Sequence, residues 1–176
     1  LDGNPAALDG PLKARWLGLA ALDATEADWT RRCALAKASK SAVERSTFYT
    51  LLGSAKDAAL ARRALDLALT AEPGETVSAS IIAAIAANHP EPAVDFVQAN
   101  QAAVDRLIDA SARARFLAGL AAASHDPAMI ARLQGIAADL PADVRKPYDK
   151  VIATLTERSV SRPRIKGEIA SWLKGK

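Results

Sequence analysis

The stretch TVSASIIAAIAAN, residues 76–88, decides the fold. Val77, Ile81, Ile82 and Ile85 are its large apolar side chains, and Ala79, Ala83, Ala84, Ala86 and Ala87 fill most other positions. At helical spacing these apolar groups point nearly all the way round. A surface helix carries one apolar stripe, whereas a helix apolar on every side is buried or spans a membrane. A span needs about 20 residues, and this run stops at Asn88-His89-Pro90. The stretch is therefore expected to be the central helix of a soluble helical domain, covered by helices on several sides.

The bulk numbers agree with a folded core. The chain has 176 residues, enough for one domain. Half are hydrophobic, 24% are charged and only 5% are aromatic, so the core must be built from Ala, Leu, Ile and Val. Disorder is excluded by the apolar content. The net charge of +3 is small and reads as dispersed, with its densest basic run in the tail from Arg158 to Lys176. Nucleic-acid binders cluster Lys and Arg on one face, so no nucleic-acid partner is expected. Cys33 is alone and forms no internal disulfide. Nothing reads as a signal peptide or a membrane span. The chain starts at Leu1 and its one methionine is Met129, so it is expected to be a fragment of a longer protein. The abundance of Ala, Leu and Arg suggests a bacterial source, with cytoplasm and cell envelope both open.

In chain order, residues 1–9 read as a linker remnant. Gly10-Pro11 opens a first helix with Leu12, Trp16, Leu19 and Ala20 as its buried stripe. Thr25 with Asp28 caps a second, whose apolar side is Trp29, Cys33, Leu35 and Ala36. Ser41 starts a third, holding Val43, Phe48, Leu51 and Leu52, and Gly53 ends it. Ser54 with Asp57 starts a fourth with two apolar faces, Leu60, Ala64, Leu67 and Ala68 on one and Leu65 and Leu69 on another. Glu72-Pro73-Gly74 breaks the chain before the central helix. Pro92 opens a sixth helix that bends or breaks near Asn100. A helix with Phe116, Leu117 and Leu120 follows. Asp126-Pro127 starts another with Met129, Ile130, Leu133 and Ile136, ending at Pro141. A helix near Pro147 holds Tyr148, Val151, Ile152 and Leu155. Ser161 and Pro163 open the last, with Ile165, Ile169, Trp172 and Leu173 on one face. About ten helices joined by short turns predict an all-α, irregular α-solenoid of antiparallel hairpins, similar to HEAT or armadillo arrays.

Catalytic signatures are missing. There is no H-E-x-x-H, no phosphate-binding glycine loop and no G-x-S-x-G. His89 and His125 lie far apart, Cys33 completes no ligand set, and both histidines read as surface or capping residues. Trp16, Trp29 and Trp172 read as core residues rather than stacking platforms. Arg113 and Arg115 could hold a carboxylate in a groove, but read more simply as a solvated flank. Asn88 and Asn100 end helical runs.

The segment LLGSAKDAALARRALDLAL, Leu51 to Leu69, resembles a signature of the C-terminal helical domain of aminopeptidase N-type zinc metallopeptidases. Leu52, Gly53, Ser54, Asp57, Leu60, Arg63, Leu65 and Leu69 sit where that pattern expects them. The buried helix Ile81 to Asn88, the turn to Pro90 through Phe96, and Asn100 continue the likeness, as does the final helix with Trp172. It covers roughly Leu12 to Lys174. Two departures stand against it: Glu72-Pro73-Gly74-Glu75 replaces an arginine and a Gln-Asp pair, and tryptophans are absent near Val94 and Gln101.

The resemblance implies a noncatalytic lid that closes over the active-site chamber and restricts peptide access, while the parent enzyme removes N-terminal residues from peptides. Zinc and every catalytic group would belong to an upstream domain of the same polypeptide, so no cofactor, metal ligand or catalytic residue is assigned to this chain, and its substrate-contacting residues stay unknown. The alternative reading is an independent helical-repeat scaffold that binds a protein partner.

Overall fold

The computed structural model describes residues 10–175, with side chains from Leu12 onward. The expected linker, residues 1–9, lies outside the described residues. Within them are ten α-helices, one short 3-10 turn and no strand, as expected for an all-α chain. They are α1 Gly10–Leu22, α2 Glu26–Ala38, α3 Ala42–Leu52, α4 Ala58–Ala68, α5 Glu75–Ala86, α6 Pro90–Ala99, α7 Gln101–Leu107, the 3-10 turn Ala110–Ala112, α8 Arg113–Ala121, α9 Ala128–Ala137 and α10 Ala142–Lys174. They form two compact units, one ending at Asp109 and one beginning at Ala110.

In the first unit α5 is the hub. It packs against α3, α4, α6 and α7. Ile81, Ile82 and Ile85 are fully buried, with Ser78 and Ala86 beside them. Each isoleucine removed from water contributes about 1.5–3 kcal/mol. Past its first turn, where Glu75 and Thr76 are exposed, α5 has one exposed residue, Ala83, with Ala87 and Asn88 exposed just beyond its end.

Local chemistry sets the boundaries. Thr25 and Asp28 form a reciprocal capping box: the Asp28 amide donates to Thr25 Oγ1 at 3.2 Å, and the Thr25 amide donates to the Asp28 carboxylate at 3.0 Å. The Thr25 hydroxyl also donates to that carboxylate, and this bond holds its pKa below the usual range. Ser41 caps α3 through the Glu44 amide, and Gly53 closes that helix. Two start points differ from expectation. Asp57, not Ser54, caps α4, accepting from the Leu60 amide at 2.9 Å. Pro90, not Pro92, is the first residue of α6, where its missing N–H costs no helical bond. Asn100 does end α6, its side chain donating to the Phe96 carbonyl at 2.9 Å.

The stripe of α1 is a correction. Leu12, Trp16 and Leu19 are each at least 50% exposed, Ala20 is exposed, and Ala21 is the buried residue. Periodicity tells which side chains share a face, not whether a neighbour covers it. Leu35, Val43 and Leu69 are also exposed, for the same reason.

In the second unit α8 and α9 pack on α10. Leu120 and Ala121 of α8, Met129 and Leu133 of α9, and Tyr148 and Leu155 of α10 make its core. α9 ends at Ala137, short of Pro141. The two last helices expected from Pro147 and Ser161-Pro163 are one helix of 33 residues with both prolines inside it. A proline interrupts a helix by removing its own N–H and crowding the carbonyl four residues earlier. At Pro163 that carbonyl belongs to Ser159, and both residues are exposed, so water can satisfy it. No glycine, proline, asparagine or aspartate lies between Leu155 and Ser161 to end the helix instead. From Arg162 to Gly175 every residue is exposed.

Candidate functional site

A concavity of about 570 Å³ lies inside the second unit. Its floor is apolar, from Ile130 and Leu155; one rim is the α8–α9 loop with His125 and Asp126; the opposite wall is α10. Arg158, Arg162 and Lys166 line that wall. Residues four apart stack on one helix face, about 6 Å apart along the axis, so the three cations form a ladder.

The members of this groove are not equivalent. Arg158 is half-buried, and its Nη1 donates to the Ala122 carbonyl at 2.9 Å and to the Ser124 carbonyl at 3.5 Å, serving the end of α8. Asp126 accepts from the Ala128 amide at 2.9 Å, the capping role its sequence position implied. Arg162 and Lys166 are exposed and have no ion-pair partner among the described residues. Arg164, on another side of the helix, is paired with Glu168 at 3.9 Å. The groove can therefore receive an anionic group with an apolar neighbour. The charge behind it is concentrated, not dispersed as expected: residues 1–157 hold 17 basic and 19 acidic side chains, whereas residues 158–176 hold six and one.

A second concavity, about 310 Å³, lies within the first unit between α4 and α6. Leu65 and Phe96 form its floor, and Arg62 on its edge is paired with Asp66 at 3.3 Å. His89 also lines it, but its Nε2 meets the Ala55 carbonyl at 3.0 Å, and Asn88 donates to the Ser54 carbonyl at 3.0 Å. These two bonds fasten the turn after α5 to the turn before α4, which is a structural task. His125 is exposed on the rim of the other groove.

Glu72, expected only to help break the chain before α5, gathers a polar cluster. Tyr49 Oη donates to Glu72 Oε1 at 3.0 Å, and Cys33 Sγ approaches the same oxygen at 3.9 Å. Lys37 Nζ lies 3.0 Å from Oε2, and Arg45 Nη2 donates to the Glu72 carbonyl at 3.1 Å. Burial pushes the Cys33 thiol and the Tyr49 hydroxyl up, and the bond to Glu72 raises Lys37. A thiol shifted upward is a poor nucleophile, so the cluster ties α2, α3 and the α4–α5 turn together rather than reacting.

Of the three tryptophans expected in the core, only Trp29 is buried; Trp16 is 54% and Trp172 60% exposed. Trp29 Nε1 donates to the Leu52 carbonyl at 3.2 Å, and the Arg63 guanidinium sits 4.4 Å over its ring. Arg113 and Arg115 are exposed at the start of α8 and line neither concavity.

Among the described residues no helix is long and apolar enough to cross a membrane. No curated protein and no solved structure matches the chain. The model of the ERAP1-like C-terminal domain matches residues 1–157, nearly nine-tenths of the sequence, and the chain belongs to that family.

Proposed function

We propose that this chain is the noncatalytic C-terminal lid of a zinc aminopeptidase, packing on an upstream catalytic domain of the same polypeptide and limiting which peptides reach the active-site chamber. The observation that carries this reading is the family match over residues 1–157. Its physical sense lies in the construction of the first unit. A helix enclosed by four others moves as one body, because close-packed interiors transmit displacement instead of absorbing it. A rigid body hinged beside a reaction chamber gates access and excludes water. Zinc, its ligands and the general base would all belong to the upstream domain.

The test has two arms. The isolated chain is expected to retain no zinc on elemental analysis and to release no aniline from aminoacyl anilides. The parent enzyme, compared with and without this domain, is expected to keep cleaving aminoacyl anilides while losing its discrimination between peptides of different length. Tight stoichiometric zinc or robust turnover by the isolated chain would refute the reading. So would a parent whose peptide selectivity is unchanged by the deletion.

A further inference from the structure

The family match ends at residue 157, and α10 changes character at that point. Before it, α10 buries Tyr148 and Leu155; beyond it, from Arg162 to Gly175, every residue is exposed. Ile165, Ile169, Trp172 and Leu173 are 45–61% exposed and recur at i, i+4, i+7 and i+8, which is one stripe. Arg162 lies one turn before that stripe and Lys166 borders it, both lining the groove with the apolar floor. Five basic residues and one acidic residue lie between Arg158 and Lys174. An exposed apolar stripe, an adjoining pair of unpaired cations and a groove beside them suit a ligand that is anionic at one end and apolar at the other.

We propose that the distal half of α10 is an interfacial helix for anionic phospholipid, the phosphate headgroup lying between Arg162 and Lys166 and the stripe resting in the acyl boundary. A basic amphipathic helix with a tryptophan on its apolar side lies in the plane of a membrane surface, held by apolar burial together with attraction to anionic lipid. Fourteen exposed residues extend about 21 Å, too short to cross a bilayer and suited to lying on it. Two competing occupants fit less well. A second copy would set two strongly basic helices against each other, and nucleic acid would have no use for the apolar stripe. This proposal does not depend on the lid reading.

The experiment uses the 176-residue chain and sedimentable vesicles of phosphatidylcholine alone or mixed equally with phosphatidylglycerol. The chain is expected to pellet with the mixed vesicles at least tenfold more than with the neutral ones, and to be released by salt. Arg162→Gln with Lys166→Gln lowers binding on the order of twentyfold, since each cation near an anionic surface is worth about fivefold. Ile169→Ser with Leu173→Ser abolishes it. All four positions are exposed, so circular dichroism should show both variants folded. Trp172→Phe removes the blue shift of fluorescence on binding, whereas Trp16→Phe on the exposed stripe of α1 leaves it. Equal binding to neutral vesicles, no binding to the mixed ones, or loss of the shift with Trp16→Phe overturns the proposal. Self-association that Ile169→Ser removes assigns the stripe to a second copy and also overturns it. Inorganic phosphate perturbing the groove without vesicle binding would make it a free-phosphate site, with the same consequence.

Discussion

A β-carbon placed on Gly53 would stand 2.6 Å from the backbone carbonyl oxygen of Ile81. The helices α3 and α5 meet at that point backbone to backbone, with Ile85 Cγ1 and Ala84 Cβ at 3.1 and 3.2 Å from the same position. Gly53→Ala is expected to destabilise the chain by at least about 2 kcal/mol, the upper part of the range for overpacked cores, because a carbonyl held in α5 cannot yield as a side chain does. Urea unfolding measures this. Gly74→Ala is the contrast: nothing lies within 4 Å of its added carbon, but φ of +87° makes it cost about 1–3 kcal/mol through the backbone alone.

Trp29 joins three helices: its ring belongs to α2, its N–H serves the end of α3, and Arg63 of α4 lies over it. Trp29→Phe keeps the apolar bulk and leaves the Leu52 carbonyl without that donor, a loss of about 1–3 kcal/mol. Arg63→Met removes the cation and is expected to cost about 0.5–1 kcal/mol. A double-mutant cycle should show the two changes to be non-additive.

The Glu72 cluster predicts an alkaline limit to stability. Cys33, Tyr49 and Lys37 all hold their protons more tightly in the folded chain. Their unfolded values are about 8.5, 10 and 10.4. Groups raised on folding contribute stability that is complete below the unfolded pKa and lost as pH rises through the folded one. The urea midpoint should therefore be flat near pH 7 and fall from about pH 8.5 upward, less steeply in Tyr49→Phe. In the same cluster, Cys33 should react with a disulfide reagent at pH 8 more slowly than the unfolded chain does.

Pro163 interrupts an exposed helix, and nothing packs there to repay the missing bond. Pro163→Ala is expected to strengthen the helix around residues 159–174 by up to about 3 kcal/mol. Circular dichroism should show the gain as a higher helical signal and a later loss of helix on heating.

What the sequence disclosed and what it hid divide along a physical line. Thr25 with Asp28, Ser41, Asn100 and the enclosed Ile81–Ile85 segment were legible because their causes are local: caps and periodicity act within a few residues. Gly53 was legible as a helix end, but not for its reason. It closes α3 in a right-handed helical conformation with φ of −77°, and is glycine because Ile81 comes so close. The stripe of α1 was read correctly as a face and wrongly as buried, since burial depends on a neighbour that periodicity does not contain. Pro163 was read as a start because the cost of an interior proline depends on whether water reaches the orphaned carbonyl. The groove of the second unit joins residues 124–130 to residues 155–166, a meeting that only tertiary packing makes. The concentration of positive charge beyond residue 157 was open to counting from the beginning.

The enclosure of α5 bears on how the first unit comes apart. Ile81, Ile82 and Ile85 are fully buried on a helix that packs against four others, α3, α4, α6 and α7. Partial openings, which let most helices exchange their amide protons piecemeal, have no cheap route here. Protons of these amides should leave only when the whole unit dissolves, so their exchange rate reports its global free energy, while the C-terminal end of α10 exchanges almost at once.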